Sequence, residues 1–422
     1  MKNFYWLWLG QLVSILASGI TSFALGFWIL EQTSSVTDFA TVIVLATLPG
    51  TLLAPLAGVL IDRHSRKKII ILADVTAALT TALIAYLYWS GNLQIWHIYI
   101  VTAIDSMALA FQIPAVMAAT TMLVPPELLG RASGLSHMSE ALAGVAGPFL
   151  AGMLLVPIGL SGILVLDLVT FLFAAILLLF IPVPDPDKTE LGPCEESSLR
   201  LEAKLGWHYI RERHGLIHLM IFAGLVNLIA GMVVVSVMPL AVSFADEAQV
   251  GFIMAAGGVG SLMGGAYLAT TGGPARKING VYAGTLLAAC CLFVMGLQAS
   301  LWFVAVGLFL FEASIPLFAG SAQVIWQTRV AAELQGRVFA TRRILSQITV
   351  PVGSFGAGIL ADRLFEPVMR EGGPLTASLG AVLGTGAGRG IGLMLIVLAG
   401  AMLATSLWAM ANKHIRNIEN EG

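Results

Sequence analysis

Charged side chains are scarce in this sequence: only 11% of its 422 residues are Asp, Glu, Lys or Arg, against about 25% in an ordinary soluble protein. Hydrophobic residues make up 58% of the chain. So few charges do not cover a water-exposed surface, which excludes a soluble globular protein. The formal net charge of -2 also offers no basic surface to a nucleic acid.

Cysteine is scarce too. The chain has three, Cys194 in a polar stretch and the adjacent Cys290 and Cys291 in an apolar one. They form neither a CxxC pair nor a disulfide framework. We therefore interpret them as small apolar packing residues.

The motifs of several enzyme classes are missing. No Walker A sequence occurs, and the alternating glycines between Gly384 and Gly392 never give G-x-G-x-x-G. His214 and His218 have metal-ligand spacing, but at the start of a predicted span we interpret them as an interfacial pair. No serine or cysteine has the surroundings of a catalytic triad. The sequence predicts that the protein is not an enzyme and uses no cofactor or metal.

What the chain does contain is a series of long apolar segments, each near the ~20 residues needed to cross a bilayer. The sequence predicts an all-α integral membrane protein with twelve transmembrane helices in two six-helix pseudo-repeats. We expect the first span to be retained rather than cleaved as a signal peptide. The predicted spans are 4–30, 37–61, 69–90, 95–123, 133–157, 159–181, 216–243, 250–271, 280–298, 300–328, 341–362 and 388–411.

A short cationic loop sets the predicted orientation. The stretch GVLIDRHSRKK, from Gly58 to Lys68, joins the second and third spans. Lys and Arg resist translocation, so this loop is predicted to be cytoplasmic, and twelve spans then place both termini there as well. Only Arg363, Arg370 and Arg389 fall outside, so 22 − 3 = 19 of the Lys and Arg residues are on the cytoplasmic side. We expect a multi-pass protein of the cytoplasmic (inner) membrane.

A polar segment divides the chain. Its first part is rich in proline and acid, whereas Leu199 to His214 alternates apolar and charged residues at helical spacing. We predict an N-terminal six-helix bundle at 1–182, a cytoplasmic linker with an amphipathic helix at 183–215, and a C-terminal six-helix bundle at 216–422.

The two predicted halves share an internal repeat. The sequence Glu127-Leu-Leu-Gly-Arg131 recurs as Glu333-Leu-Gln-Gly-Arg337, an offset of 206 residues. Two homologous halves are the simplest interpretation. The same offset places Gly147 on Gly353, Gly152 on Gly358 and Gly58 on Gly264.

With the GVLIDRHSRKK loop, two six-span halves and a polar central segment, the chain resembles the major facilitator superfamily over essentially its whole length. Four further motifs look like the branch of macrolide-efflux proteins and siderophore (enterobactin-type) exporters. They are LWLGQ at 7–11, PPELLGR at 125–131, GWHYI at 206–210 and GRGIG at 388–392. Two features depart from the family. Leu268 stands where the repeat predicts an acid, and span 4 lacks the arginine of many proton-coupled drug exporters.

The resemblance implies a secondary active transporter that works by alternating access. We expect proton-driven efflux of a bulky amphipathic compound, such as a macrolide-like drug, a siderophore or a natural product. The expected partners are this small molecule, protons and the lipid bilayer, without nucleic acid, and the expected working unit is a monomer. Uptake or uniport of a small metabolite remains open, as does a non-transporting membrane sensor or assembly partner.

Asp62, followed by Arg63, is the leading gate candidate because a carboxylate can pair with the positive N-terminus of a neighbouring helix. By resemblance that helix is span 11, entered through Arg337, Arg342 and Arg343, and the contact would latch the two halves together. For the cations of 62–68 a plain topology signal remains open. The repeated Glu127/Arg131 and Glu333/Arg337 form either matching local pairs or weak surface ion pairs. The predicted gating set is Gly58, Asp62, Arg63, Arg66, Lys67, Glu127, Arg131, Glu333, Arg337, Gly147 and Pro148.

Two members of this set lie in span 5 rather than in a loop. Gly147 allows close helix packing, and Pro148 removes a backbone hydrogen bond, which predicts a pliable point. Plain close packing remains the alternative.

Four acids stand out within the predicted spans: Asp105, Glu140, Asp167 and Glu312. A charge at bilayer depth costs at least ~2.5–3.5 kcal/mol, so each needs a cavity, a partner or a proton. The repeat offset aligns Glu312 with Ser106, the residue that follows Asp105. Proton coupling at these two, contact with a cationic substrate and a structural hydrogen bond all remain open.

The other two acids and the polar amides complete the candidate site. Glu140 is an alternative proton carrier, and Asp167, near the outer end of span 6, is predicted to be structural. Amide side chains in the spans either line a cavity or bond between helices. The predicted cavity residues are Gln112, Asn227 and Gln323, with Gln11 and Gln327 as further candidates.

Overall fold

A computed structural model of the protein describes residues 2–125, 128–182, 207–330 and 334–419. These residues are almost entirely helical, and no strand occurs among them. The principal helices of the first part are α1 (Lys2–Thr33), α2 (Val36–Arg63), α3 (Arg66–Trp89), α4 (Ile95–Leu123) and α5 (Leu129–Phe180). Those of the second part are α6 (His214–Val242), α7 (Glu247–Thr271), α8 (Lys277–Leu297), α9 (Leu301–Arg329), α10 (Gln335–Leu360), α11 (Glu366–Met369), α12 (Thr376–Leu383), α13 (Arg389–Ala411) and α14 (Lys413–Arg416).

Eleven helices of the described chain are long and apolar enough to cross a membrane. One of them, α5, has 52 residues and is two helices joined at Gly159, where φ is 62° and ψ is −178°. Glycine adopts such a positive φ without steric cost. The break falls between the predicted fifth and sixth spans, so all twelve predicted spans coincide with a helix or half of one. The chain is a multi-pass membrane protein.

The helix of the predicted eleventh span continues beyond 362, its predicted end. A π-helical turn, Ala361–Phe365, follows α10 directly and leads into α11. The helical run therefore ends at Met369, several residues later than the sequence predicts.

Only part of the predicted linker is described. Residues 207–212 are helical, and residues 199–206 of the expected amphipathic helix lie outside the described residues. The described residues form two compact units, one within Met1–Glu190 together with Asp246–Ala255 and the other within Leu191–Ala245 together with Ala256–Gly422. The predicted division at 1–182, 183–215 and 216–422 stays a prediction.

Helix pairing inside the first unit follows a simple pattern. The first helix α1 packs along α5, α2 packs on α4, and α3 packs on both α4 and α5. Apolar side chains at helical spacing fill these contacts, including Leu7, Ile70 and Leu178 in one cluster.

The second unit repeats this pairing. Its first helix α6 packs along α10, α8 packs on α9, and α13 packs on α8 and α6. We number the helices as the twelve predicted spans. In the first unit span 1 contacts span 5, and span 3 contacts spans 4 and 6. In the second unit span 7 contacts span 11 in the same way, and span 9 contacts spans 10 and 12. This correspondence supports the internal repeat read from the E-L-x-G-R motif.

The glycines of the repeat serve close helix packing. A Cβ on Gly147 would lie 3.3 Å from the carbonyl carbon of Gly19, and one on Gly353 would lie 2.1 Å from the carbonyl oxygen of Leu228. Both glycines therefore sit where spans 5 and 11 meet the first helix of their own unit.

We expect Gly353→Ala to destabilise the second unit by about 1–3 kcal/mol, because the added methyl meets backbone and the helices must separate. The free energy of unfolding in SDS-titrated mixed micelles measures this loss. Gly356→Ala on the same helix is the matched control, since nothing lies within 4 Å of the Cβ it would add. Equal stability of the two variants would contradict the packing role of Gly353.

Candidate functional site

The interior of the first unit holds an acid that the sequence analysis missed. Asp74 on α3 is 1% exposed. Its Oδ1 accepts a hydrogen bond from Nε2 of Gln112 on α4, at 2.5 Å. Its Oδ2 is buried and has no hydrogen-bond partner. The signal was available in the sequence, because Asp74 is the one charged residue in the predicted span 69–90.

Gln112 connects this buried carboxyl group to a cavity. The cavity has a volume of about 340 Å³ and lies between α1, α4 and the first half of α5. Most of its wall is apolar, with Trp8, Ile113 and Met117 among the large side chains. Its polar wall residues are Gln11, Gln112, Thr120, Thr121, Ser133, Ser136, Ser139 and Glu140. Three predicted candidates, Gln11, Gln112 and Glu140, therefore share one cavity.

Two further acids of this unit bind hydroxyl groups. Asp105 on α4 accepts a hydrogen bond from Oγ1 of Thr80 at 2.7 Å. Asp167, which is 2% exposed, accepts one from Oγ of Ser18 at 3.3 Å. These contacts tie α3 to α4 and α1 to the second half of α5. The structural role predicted for Asp167 stays a prediction.

Within the part of the chain that the structure describes, no Lys, Arg or His forms an ion pair with Asp74, Asp105 or Asp167. A carboxylate kept charged at bilayer depth without such a partner costs several kcal/mol. A bound proton removes that cost, so the arrangement suits groups that gain and lose protons.

The second unit has a cavity of its own, of about 270 Å³. Its polar wall residues are Asn227 on α6 and Arg342 and Ser346 on α10. Asn227 donates from Nδ2 to the carbonyl oxygen of Ser346 at 3.5 Å. Gln323 on α9 accepts a hydrogen bond from Nη1 of Arg342 at 2.8 Å. The predicted residues Asn227 and Gln323 thus lie in or beside one cavity, around an arginine.

Glu312 lies elsewhere on α9, against α7. Its Cγ is 3.4 Å from the position that a Cβ on Gly257 would take. The repeat equivalent, Ser106, occupies a comparable close contact, because its Oγ accepts a hydrogen bond from the backbone N–H of Gly50 at 3.0 Å. Glu312 therefore brings a carboxyl group to the contact between spans 8 and 10. At the corresponding contact between spans 2 and 4, Ser106 brings a hydroxyl group.

Two cations of the loop after span 2, Arg66 and Lys67, contact their own unit. Nζ of Lys67 donates to the carbonyl oxygens of Leu179 and Ile181 at 2.9 and 2.8 Å. A cation at a helix C-terminus satisfies free carbonyls and the helix dipole, so Lys67 secures the end of α5. Nη1 of Arg66 donates to Sδ of Met122.

The rest of the predicted gating set is only partly visible. Arg131 is exposed. Gly147 packs closely on Gly19, and Pro148 lies inside the unbroken first half of α5. Glu127 and Glu333 lie outside the described residues, as do the side-chain surroundings of Gly58, Asp62, Arg63 and Arg337.

A third histidine joins the pair noted in the sequence. The ring of His414 on α14 lies 5.3 Å from that of His214 and 5.1 Å from that of His218, centroid to centroid. Among the described residues, no group of three His, Cys, Asp or Glu side chains is placed to hold a metal ion. The three rings hold the C-terminal helix against α6.

Comparison with known proteins identifies the family to which this chain belongs. The family model of the Major Facilitator Superfamily matches residues 7–354, and the chain belongs to that family. The chain is 27% identical to macrolide efflux protein A of Streptococcus pyogenes over 371 residues, which cover 86% of this chain and 90% of the relative. The protein is therefore a major facilitator transporter, with low-identity likeness to an efflux protein, and not an enzyme.

Solved structures agree on the fold. A nucleoside transporter, NupG, superposes with a TM-score of 0.71 at 13% identity, covering 97% of this chain and 99% of the other. A bacterial homologue of the human lysosomal transporter Spinster gives a TM-score of 0.71 at 16% identity, covering 99% of this chain and 96% of the other. These likenesses show the major facilitator fold and carry no information on the substrate.

Proposed function

We propose that this transporter exports a bulky amphipathic compound, of the kind represented by macrolides, siderophores or natural products, and that proton entry drives export. The likeness to macrolide efflux protein A over most of both chains supports the direction and the substrate class. The wall of the first cavity, mostly apolar with a few amide, hydroxyl and carboxyl groups, suits such a compound.

The observation that carries proton coupling is the contact between Gln112 and Asp74. Gln112 belongs to the cavity wall, whereas Asp74 is buried behind it with one carboxyl oxygen unpartnered. A proton that reaches the cavity meets the side chain of Gln112, and the carboxyl group of Asp74, which can accept the proton, lies directly behind it. When substrate fills the cavity, the bound proton is displaced or released, which couples the two movements.

Asp105 and Glu312 are the further proposed carriers, at adjacent positions of the repeat in the two units. Glu140 is exposed in the first cavity and is the alternative entry point. Asp62 and Arg63 remain the proposed gate, and both termini are proposed to lie in the cytoplasm, on the strength of the cationic loop.

We expect Asp105→Asn combined with Glu312→Gln to weaken the pH dependence of transport, because neither replacement takes up a proton in the physiological range, whereas Asp74 remains. The measurement is the initial rate of substrate accumulation in inside-out vesicles between pH 5.5 and 8.5, using a macrolide, a siderophore and a lipophilic cation. Glu371→Gln, at an exposed position, is the control. A pH profile unchanged from the unmodified protein would exclude both acids as essential carriers.

A further inference from the structure

The cavity of the second unit contains a cation that proton coupling does not use. Arg342 on α10 lines this cavity together with Trp207, Asn227, Phe318 and Ser346. An arginine is permanently charged in proteins and offers five N–H donors in a fixed plane. Such a charged group is costly to remove from water unless it serves a partner.

Two described contacts hold the guanidinium group in place. Its Nη1 donates to Oε1 of Gln323 at 2.8 Å, and its Cζ lies 5.0 Å from the ring centroid of Trp326. Trp326 is fully buried, so it gives the arginine a rigid aromatic support. Both contacts orient the guanidinium group, and neither carries a negative charge.

No acid of the described second unit forms an ion pair with Arg342; the ion pairs there are His208 with Glu212 and Arg276 with Glu419. Glu312 is on the same helix as Gln323 but eleven residues earlier, about 16 Å along the axis at 1.5 Å per residue. It is therefore too distant to neutralise the arginine through Gln323.

The remaining wall of the cavity matches a ligand with one anionic end. Trp207, Met220 and Phe318 provide apolar surface, and Asn227 and Ser346 lie on the same wall as polar groups. A volume of about 270 Å³ holds a head group and a small apolar body, rather than a whole bulky compound.

We propose that this cavity is a subsite for the carboxylate or another single-charged anionic group of the transported compound, and that Arg342 is its anion-binding residue. The proposal rests on the proposed export function and narrows its substrate class from amphipathic to anionic amphipathic compounds. Gln323 is a positioning residue, because it holds the guanidinium plane while leaving the other N–H donors free to form a charge-assisted pair.

The test uses two fluorescent probes of equal size and different charge, dansylglycine and its uncharged amide, dansylglycinamide. Each is titrated into the purified full-length protein in detergent micelles, with excitation of tryptophan and detection of dansyl emission. We expect dansylglycine to bind at least about tenfold more tightly than the amide, the factor for one charge-assisted hydrogen bond.

Arg342→Gln is expected to remove this preference, and Arg342→Lys to retain part of it. Arg370→Gln, which removes the same charge at an exposed position, is expected to keep the full preference. Equal affinity of the unmodified protein for both probes, no binding of dansylglycine, or a preference that survives in Arg342→Gln would overturn the proposal. The assay needs no proton gradient. If the anion preference is found but proton-driven flux is not, the result contradicts the proposed export mechanism and leaves the anion subsite supported.

Discussion

Asp74→Asn is expected to abolish transport against a concentration gradient while leaving exchange of substrate across equal concentrations intact. The amide keeps the size of the side chain and can still bond to Gln112, so the helix packing is preserved. It takes up no proton, however, and the energy of the proton gradient then no longer reaches the substrate.

The measurement compares net uptake driven by a pH gradient with counterflow at uniform pH, in proteoliposomes containing the variant. Asp38→Asn is the matched control, because Asp38 is also a hydrogen-bonded acid of the first unit, accepting from the hydroxyl of Tyr99 at 2.8 Å. Concentrative transport that survives in Asp74→Asn would remove this residue from the coupling mechanism. Loss of counterflow as well would indicate a folding or binding defect instead.

Glu366→Leu is expected to lower the free energy of unfolding by about 2–5 kcal/mol, since it leaves two buried backbone N–H groups without acceptors. Glu366 is 9% exposed. Its two carboxyl oxygens accept hydrogen bonds from the N–H groups of Gly388 and Ile391, at 3.3 and 3.1 Å. These groups belong to the start of α13, so Glu366 caps the last membrane-spanning helix from α11.

A buried arginine completes this cap. Arg389 is 5% exposed, and its Nη2 donates to the carbonyl oxygens of Gly296 and Leu297, both at 3.0 Å. The arginine therefore joins the end of α8 to the start of α13. Removing the nearby carboxylate leaves a buried cation uncompensated, which adds to the cost.

Unfolding of the Glu366→Leu variant in SDS-titrated mixed micelles measures the effect. Glu366→Gln, which keeps one acceptor oxygen, is expected to lose less. Glu371→Leu, five residues away and exposed, is expected to change stability little. A Glu366→Leu variant as stable as the unmodified protein would show that the cap contributes nothing.

The architecture was predictable from the sequence because its signals are strong and local. An apolar run of about 20 residues has few alternatives to a membrane helix, since every backbone polar group must be satisfied internally. The predicted fourth span, 95–123, has the same bounds as α4. The break at 158 fell beside Gly159, where a positive φ interrupts α5.

The candidate site was less predictable, because it depends on contacts between helices. Gln112 was recognised as a polar residue in a span, but its partner Asp74 lies 38 positions earlier on another helix. Asp74 itself is visible as an acid in an apolar run, but nothing in the sequence places it behind a cavity. The repeat correctly paired the helices but did not indicate which acid lies behind a cavity.

Arg342 shows a different limit. The sequence places it among three cations at the start of span 11, where the family resemblance suggested a gate. In the structure it contacts Gln323 and Trp326 and lines the cavity of its own unit. To place Arg342 in this cavity, one must know which faces of α9 and α10 meet. The spacing of residues along one helix does not specify this.

The central claim, proton-driven export, is tested most directly by recording substrate and proton movement together in proteoliposomes with an imposed pH gradient. The account predicts that adding a transported macrolide, siderophore or anionic amphipathic compound starts a proton flux opposite to the substrate flux. It also predicts that this proton flux disappears in Asp74→Asn. Substrate movement of unchanged rate with no accompanying proton flux, or proton flux in the same direction as the substrate, would contradict it.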